Sequence, residues 1–272
     1  MTQGFELDAY LARIGYTGPR EPSLTTLRSI HALQPAAIPF ESLDPFLRRE
    51  VRLDVLSLQA KLVRARRGGY CFELNGLFAA ALEALGFLVT GLSGRVLWMA
   101  PPERPNGPRT HHLLRVDLDG VPYLVDVGFG GHLIDSPIKL VTDIEQTTPS
   151  SILRLTGMDH SFILQTKLPR GWEDLYLFTL EPQLAIDYEV ANWFTSTNPN
   201  SRFMKDFIGE RLTPEWRLSL FNSRLTKRHR NGRVDQRMLA NATEFTEALK
   251  NGLGITPPLD PVEIWKRLPE AS

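Results

Sequence analysis

Apolar residues recur with helical spacing through the first third of the chain. Four segments combine this spacing with the polar starts or glycine ends that helices favour, at 5–15, 23–33, 54–66 and 71–86. The last has an apolar stripe from Leu74 to Leu85, and Gly86 is expected to end it. The first third is therefore predicted to be helical.

The pattern then changes to runs that are rich in β-branched and aromatic residues. Residues 87–99 predict a strand interrupted by glycines, and residues 112–131 predict a hairpin that turns at Asp119-Gly120. Residues 101–110, between them, are rich in proline and predict a loop.

Beyond the hairpin, the patterns predict two strands, a short helix, a stretch of strands with basic turns, and another helix. These segments are 161–166, 174–180, 184–194, 213–235 and 242–251. Helices followed by strands and then by a mixture of both predict an α+β fold.

Composition narrows the class of protein. With 31 basic and 31 acidic residues, the chain has no net charge to attract nucleic acid or an anionic membrane. No apolar run approaches the roughly 20 residues of a membrane span, and the first residues lack the pattern of a signal peptide. The single cysteine cannot form an intramolecular disulfide, so a free thiol and a cytoplasmic location are predicted.

That cysteine, Cys71, stands where a Gly-Gly turn meets the start of the fourth predicted helix. The first N–H groups of a helix are unpaired, and together with the helix dipole they stabilise an anion. They would therefore favour the nucleophilic thiolate form of Cys71 and could hold an oxyanion during acyl transfer. The alternative is that Cys71 is an inert, buried apolar residue.

A thiolate nucleophile needs a base, and the base needs an orienting partner. His111 and His112 open the first strand of the predicted hairpin, and Asp126 lies near the end of the second. With the turn at 119–120, residue 111 lies roughly opposite residue 128, which brings Asp126 close to His111. Side chains alternate along a strand, so only one histidine can serve, and periodicity does not choose between them.

Five segments of the chain resemble the arylamine N-acetyltransferases. RGGYCFELN (67–75), RTHHLL (109–114) and VDVGFGG (125–131) are similar to the three signature segments of that family. IPFESLD (38–44) and NWFTSTNPNSRF (192–203) resemble two others, in the family's order.

The resemblance implies a catalytic triad of Cys71, His111 and Asp126, with His111 selected because the family's histidine follows a threonine. It implies an N-terminal helical bundle (1–86), a central β-barrel (87–190), a C-terminal α/β lid (191–272) and a triad core like that of cysteine proteases. The implied reaction is ping-pong transfer of an acetyl group from acetyl-CoA to an arylamine or hydrazine through an acetyl-cysteine.

The resemblance also assigns binding residues. It places Phe40, Phe129 and Phe203 at the acceptor, where aromatic walls suit a flat ring, although each could be a core phenylalanine. It places Thr110, Gly128, Gly130 and Gly131 near CoA.

Two further groups of charged residues each have two possible interpretations. The resemblance pairs Arg67 with Glu41 in support of the site, and a solvated arginine is the alternative. The basic run 224–233 could bind CoA phosphates or be a solvated turn. No metal is implied. The implied partners are small molecules, without nucleic acid or membrane, and self-association into a homo-oligomer is left open.

Three other functions remain open from the residues alone. The same triad could hydrolyse amides or thioesters with water. His111, His112 or His132 could bind the metal of an oxygenase together with a carboxylate. The protein could also be a non-catalytic binding protein with an inert cysteine.

Overall fold

The predicted N-terminal helices form in the computed structural model of this chain, which describes residues 4–100, 107–158 and 160–269 and only the backbone of Met158. The helices are α1 (Leu7–Ile14), α2 (Leu24–Ala37), α3 (Leu43–Phe46), α4 (Val55–Leu58), a π-helical turn (Gln59–Arg64) and α5 (Cys71–Ala84).

The starts and ends of these helices follow the sequence signals. Ser23 Oγ accepts the N–H of Thr26 at the start of α2, and the Asp54 carboxylate accepts the N–H of Ser57 at the start of α4. Gly15, at the end of α1, is left-handed with φ 73°.

The middle of the chain is one antiparallel sheet of eight strands. They are β2 (Leu88–Val96), β3 (Arg109–Leu118), β4 (Val121–Val125), β5 (Ile138–Lys139), β6 (Gln146–Thr147), β7 (Ile152–Met158), β8 (Ser161–Leu168) and β9 (Gly171–Thr179). Their order is β5-β4-β3-β2-β9-β8-β7-β6. The predicted hairpin is β3–β4, and both Asp119 and Gly120 have positive φ at its turn.

The sheet closes almost completely into a barrel. Its two outermost strands, β5 and β6, follow each other in the chain, and one side chain joins them. The Gln146 amide accepts the N–H of Lys139 at 2.7 Å and donates to the Lys139 carbonyl at 2.9 Å. The barrel encloses an apolar core that includes Leu92, Leu113 and Leu164, so the predicted central barrel is confirmed as a nearly closed sheet.

The C-terminal third contains both helices and strands. They are α6 (Ala185–Thr197), α7 (Arg202–Lys205), β10 (Ile208–Leu212), β11 (Trp216–Phe221), β12 (Arg224–His229), β13 (Val234–Met238), α8 (Ala242–Glu247), a π-helical turn (Ala248–Leu253) and α9 (Pro261–Trp265).

The second sheet joins the two ends of the chain. Its order is β1-β10-β11-β12-β13, and β1 (Phe40–Glu41) comes from the N-terminal third. Phe40 pairs with Glu210 across β1 and β10. Leu43 and Phe46 complete the apolar cluster beneath this sheet. The C-terminal third is therefore packed against the N-terminal third rather than separate from it.

Several elements differ from the sequence expectations. Strand β7 was not predicted, although Leu153 and Leu155 alternate as buried residues along it. Strand β10 was not predicted because Gly209 and the buried Glu210 interrupt its apolar pattern. Of the predicted proline-rich loop, residues 101–106 lie outside the described residues. Among the described ranges, no helix is long and apolar enough to cross a bilayer.

Candidate active site

Cys71 is the first residue of α5 and is 5% exposed. Its N–H and that of Phe72 have no partner within the helix because they belong to the first turn. The N–H of Tyr70, just before the helix, donates to the Glu73 carboxylate at 3.2 Å. The start of α5 thus leaves its free N–H groups beside the sulfur, as the sequence predicted.

The two glycines before Tyr70 are required by close packing. Neither has a positive φ. A Cβ atom on Gly68 would lie 2.3 Å from the carbonyl oxygen of Pro39, and one on Gly69 would lie 2.7 Å from the Glu73 carboxylate. Glycine is required here for close approach to β1 and to Glu73 rather than for a left-handed turn.

His111 and Asp126 are brought together at the end of the hairpin. His111 Nε2 lies 2.8 Å from Asp126 Oδ2, and both side chains are buried. The last ladder pair of β3 and β4 is Leu114 with Val125. Continued beyond the ladder, this register places residue 111 opposite residue 128, as the sequence predicted.

Each member of this pair stabilises the charged form of the other. Burial alone would lower the pKa of His111, but the Asp126 carboxylate and a hydrogen bond with Cys71 raise it to about 10. Burial alone would raise the pKa of Asp126, but His111 and two further donors lower it. Because Nε2 is bonded to Asp126, Nδ1 is the ring nitrogen that remains for Cys71.

Asn75, one turn after Cys71, orients the carboxylate. Its Nδ2 donates to Asp126 Oδ1 at 2.9 Å and to the His112 carbonyl at 2.6 Å, and its Oδ1 accepts the N–H of Val127. The N–H of Gly128 also donates to Asp126 Oδ1 at 2.9 Å. Asn75 was not singled out in the sequence. Its position within the RGGYCFELN segment, on the same helix as Cys71, was the available signal.

Tyr176, in β9, is a second residue that sequence reasoning missed. Its ring centroid lies 4.7 Å from that of His111. Burial and the Asp126 charge raise the pKa of Tyr176 well above its usual value, so it remains a neutral phenol. It packs against the His111 ring as part of the barrel core.

The other histidines do not converge on Cys71. His112 points to the opposite face of β3 and stacks on Tyr188 with centroids 3.9 Å apart. His31 is buried, and its Nε2 accepts the N–H of Asp126 at 3.3 Å. His132 Nε2 lies within hydrogen-bond distance of two hydroxyls. His229 ends β12 and pairs with an aspartate.

A buried cluster of charges lies beneath the turn that carries Cys71. Arg67 lies 2.6 Å from Glu41, so the expected pair forms, and it is buried rather than solvated. Lys61 Nζ lies 2.6 Å from the Asp44 carboxylate and 2.6 Å from the Glu73 carboxylate. The nearby carboxylates outweigh burial and raise the pKa of Lys61. The cluster therefore fixes Glu73, which in turn holds the N–H of Tyr70.

The three phenylalanines assigned to the acceptor occupy different surroundings. The rings of Phe40 and Phe203 are 6.0 Å apart, and Tyr70 meets Phe203 edge-on at 5.7 Å. Phe129 packs edge-on against His111 at 5.0 Å and belongs to the barrel core. Phe40 is buried in the core and Phe203 is packed against that core beside the turn, whereas Phe129 supports the imidazole.

The glycine-rich loop after Asp126 packs tightly against the site. A Cβ on Gly128 would lie 2.9 Å from the Cα of Cys71, and one on Gly130 would lie 2.4 Å from the ring of Phe40. Gly131 has φ 102°. Its N–H donates to the Glu210 carboxylate at 2.7 Å. These glycines allow the loop to pass between Cys71, Phe40 and the second sheet.

A cleft of about 850 Å³ lies between the barrel and the second sheet, and Gly130 and Gly131 form part of its wall. Five arginines line it: Arg202, Arg217, Arg224, Arg228 and Arg230. Its one lining carboxylate among the described residues, Glu210, is already near Arg217 at 3.5 Å. The cleft is therefore suited to an anionic ligand.

The sequence of this chain is similar, over most of its length, to a protein family and to individual proteins of other organisms. A family model described as N-acetyltransferase matches residues 23–260. The Arylamine N-acetyltransferase of Mycolicibacterium smegmatis is 43% identical over 256 residues, which are 92% of each chain. That of Escherichia coli K12 is 39% identical over 92% of this chain and 88% of its own.

Solved structures resemble the whole fold. The M. smegmatis arylamine N-acetyl transferase superposes with a TM-score of 0.93 at 38% identity, over 98% of this chain and all of that one. The Mycobacterium marinum arylamine N-acetyltransferase in complex with CoA superposes with a TM-score of 0.88 at 37% identity, over 92% and 93% of the two chains.

Replacing Asp126 by Asn should slow alkylation of Cys71. Without the carboxylate, burial lowers the pKa of His111, so less imidazolium is present at pH 6 to 7 to pair with a thiolate. We expect the iodoacetamide rate at that pH, followed by intact mass, to fall at least about tenfold. Asp117→Asn on the same hairpin is the control. Slow alkylation of the parent protein at pH 6 would instead indicate an inert cysteine.

Replacing Lys61 by Met should destabilise the fold because it leaves the buried Glu73 carboxylate without a cation and removes one of the cations around Asp44. We expect the free energy of unfolding in urea to fall by about 3–5 kcal/mol at neutral pH. The loss should shrink as the pH falls, because the pKa of Glu73 is already raised and proton uptake removes the unpaired charge. Lys167→Met breaks an exposed pair with Glu145 and should cost at most about 1 kcal/mol.

Proposed function

This chain belongs to the arylamine N-acetyltransferase family, and we propose that it transfers an acetyl group from acetyl-CoA to an arylamine or hydrazine through Cys71. The observation that carries the proposal is the buried His111–Asp126 pair, whose imidazole interacts with a cysteine at a helix start. Cys71, His111 and Asp126 act as nucleophile, acid–base and orienting carboxylate, in an arrangement like that of cysteine proteases.

In the first half-reaction, the Cys71 thiolate attacks the thioester carbonyl of acetyl-CoA. The first-turn N–H groups of α5 can stabilise the oxyanion that forms. His111 donates its proton to the departing sulfur of CoA, and the acetyl group remains on Cys71. One thioester replaces another, so the step is nearly balanced in free energy.

In the second half-reaction, the acceptor nitrogen attacks the acetyl-cysteine. Neutral His111 takes the proton that the nitrogen loses, and the Cys71 thiolate leaves as the amide forms. Arylamines suit this step because their low pKa leaves them neutral at pH 7. Asp126 holds the tautomer of His111 in both half-reactions. Because the acetyl group stays on Cys71 between them, the kinetics are ping-pong.

We place the aryl ring of the acceptor against Phe40 and Phe203, where two aromatic faces adjoin the turn that carries Cys71. Phe129 contributes by holding His111. Cys71 is nearly inaccessible to solvent, which favours transfer to a bound amine over hydrolysis. A free thiol at the centre of the mechanism also suits the reducing cytoplasm.

We place the phosphates of CoA in the arginine-lined cleft. Gly130 both contacts Phe40 and lines this cleft, so the cleft adjoins the acceptor surface. Arg202 and Arg224 each lie over the ring of Phe221, at 5.1 and 5.5 Å from its centroid, and Arg228 also lines the cleft. Thr110, whose carbonyl lies 3.5 Å from the Cys71 sulfur, is at the thioester end.

Incubation with acetyl-CoA should add one acetyl group to the protein. Intact mass spectrometry should show an increase of one acetyl, which disappears when an arylamine or hydrazine is supplied. Cys71→Ala should show none, and Asp126→Asn should lower the turnover rate by about 10⁴-fold, as tautomer errors do in other triads. Loss of the acetyl group at the same rate with and without amine would identify a hydrolase instead.

Replacing Arg228 by Ala should weaken binding of acetyl-CoA because one phosphate loses a cation. We expect the KM for acetyl-CoA to rise about 3- to 10-fold, with kcat little changed. The rate with p-nitrophenyl acetate, a donor without phosphates, should be unaltered. Arg237→Ala, outside the cleft, is the matched control. An equal effect on both donors would place the CoA phosphates elsewhere.

A further inference from the structure

Asn192, in α6, has a buried polar side chain that points toward the turn that carries Cys71. Asn192 is 7% exposed. Its Oδ1 accepts the hydroxyl hydrogen of Tyr70, and its Nδ2 donates to the Val51 carbonyl at 2.9 Å. One amide therefore joins the C-terminal third to two separate stretches of the N-terminal third.

The residue that Asn192 holds is the immediate neighbour of Cys71. Burial raises the pKa of Tyr70 well above its usual value, so Tyr70 is a neutral phenol that donates to Asn192. Its ring is fixed edge-on by Phe72 at 5.4 Å and by Phe203 at 5.7 Å. Gly68 and Gly69, which precede it, have no side chains, so Tyr70 supplies the side-chain anchor of the turn 68–70.

We propose that Asn192 is a positioning residue that acts on Cys71 through Tyr70, an inference that rests on the nucleophilic role given to Cys71 in the proposed function. When the Tyr70 hydroxyl is held, the start of α5 is fixed against His111. When it is released, the glycine turn can shift, and the sulfur moves relative to the imidazole and to the first-turn N–H groups.

The surroundings of α6 indicate that this contact is specific. Tyr188, on the same helix, stacks on His112 and donates to the Leu92 carbonyl at 3.1 Å, so α6 is held to the barrel independently of Asn192. Thr195 and Ser196 are also buried, and their hydroxyls donate to carbonyls of α6 itself. The Ser196 hydroxyl also lies close enough to Tyr70 to affect its pKa. Asn192 is the residue of α6 that both accepts the Tyr70 hydroxyl hydrogen and reaches Val51.

The test measures the pH profile of Cys71 alkylation by iodoacetamide in the full chain. For Asn192→Ala and for Tyr70→Phe, we expect the midpoint of the profile to move upward by about one pH unit. Because both changes break the same contact, the double variant should show the shift of one single variant rather than the sum. Thr195→Val, buried on the same helix, should leave the midpoint unchanged.

A role in stability alone would lower the melting temperature of Asn192→Ala without moving the midpoint, and that result would overturn the proposal. Additive shifts in the double variant would also overturn it. If Asn192→Ala does not fold, Tyr70→Phe alone decides, because it retains the ring and removes one oxygen. The alkylation requires neither acetyl-CoA nor an amine, so failure of the acetyl-transfer assay would be seen separately.

Discussion

The hydrogen bond between the buried Asp126 carboxylate and His111 is the interaction on which the rest of the site depends. A carboxylate in so apolar a place is stable only if its oxygens are satisfied, and here His111, Asn75 and the N–H of Gly128 satisfy them. The same negative charge keeps a proton on a buried imidazole that burial alone would remove. The interaction of the His111 imidazole with Cys71 therefore depends on how Asp126 is packed.

The local part of this arrangement could be predicted from the sequence. The signals for the Gly-Gly turn and for the helix start at Cys71 lie within a few residues of sequence. The two-residue turn at Asp119-Gly120 fixes the register of the hairpin, and this register brings Asp126 to His111. The choice of His111 over His112 could not be made from the residues alone, because the alternation of side chains along the strand does not favour either one. The resemblance to a family selected His111, and the His111 ring is the one bonded to Asp126.

The rest could not be predicted because it depends on contacts between distant parts of the chain. Asn192 and Tyr70 are 122 residues apart, and their bond has no signature in either local pattern. The need for Gly68 appears only once the Pro39 carbonyl lies against it. Strand β10 was missed because its buried Glu210 looks like a surface residue until two N–H groups of the glycine-rich loop are seen to bind it.

The buried charges beneath the turn explain how the start of α5 remains available to the sulfur of Cys71. Glu73 lies in the first turn of α5 and would, by itself, compete with Cys71 for the positive end of the helix dipole. Lys61 neutralises Glu73, and Arg67 neutralises Glu41, at 2.6 Å in each case. The carboxylates needed to fix the turn are thus paired by cations of their own. The positive end of the helix dipole is then left for the sulfur of Cys71 rather than for these carboxylates.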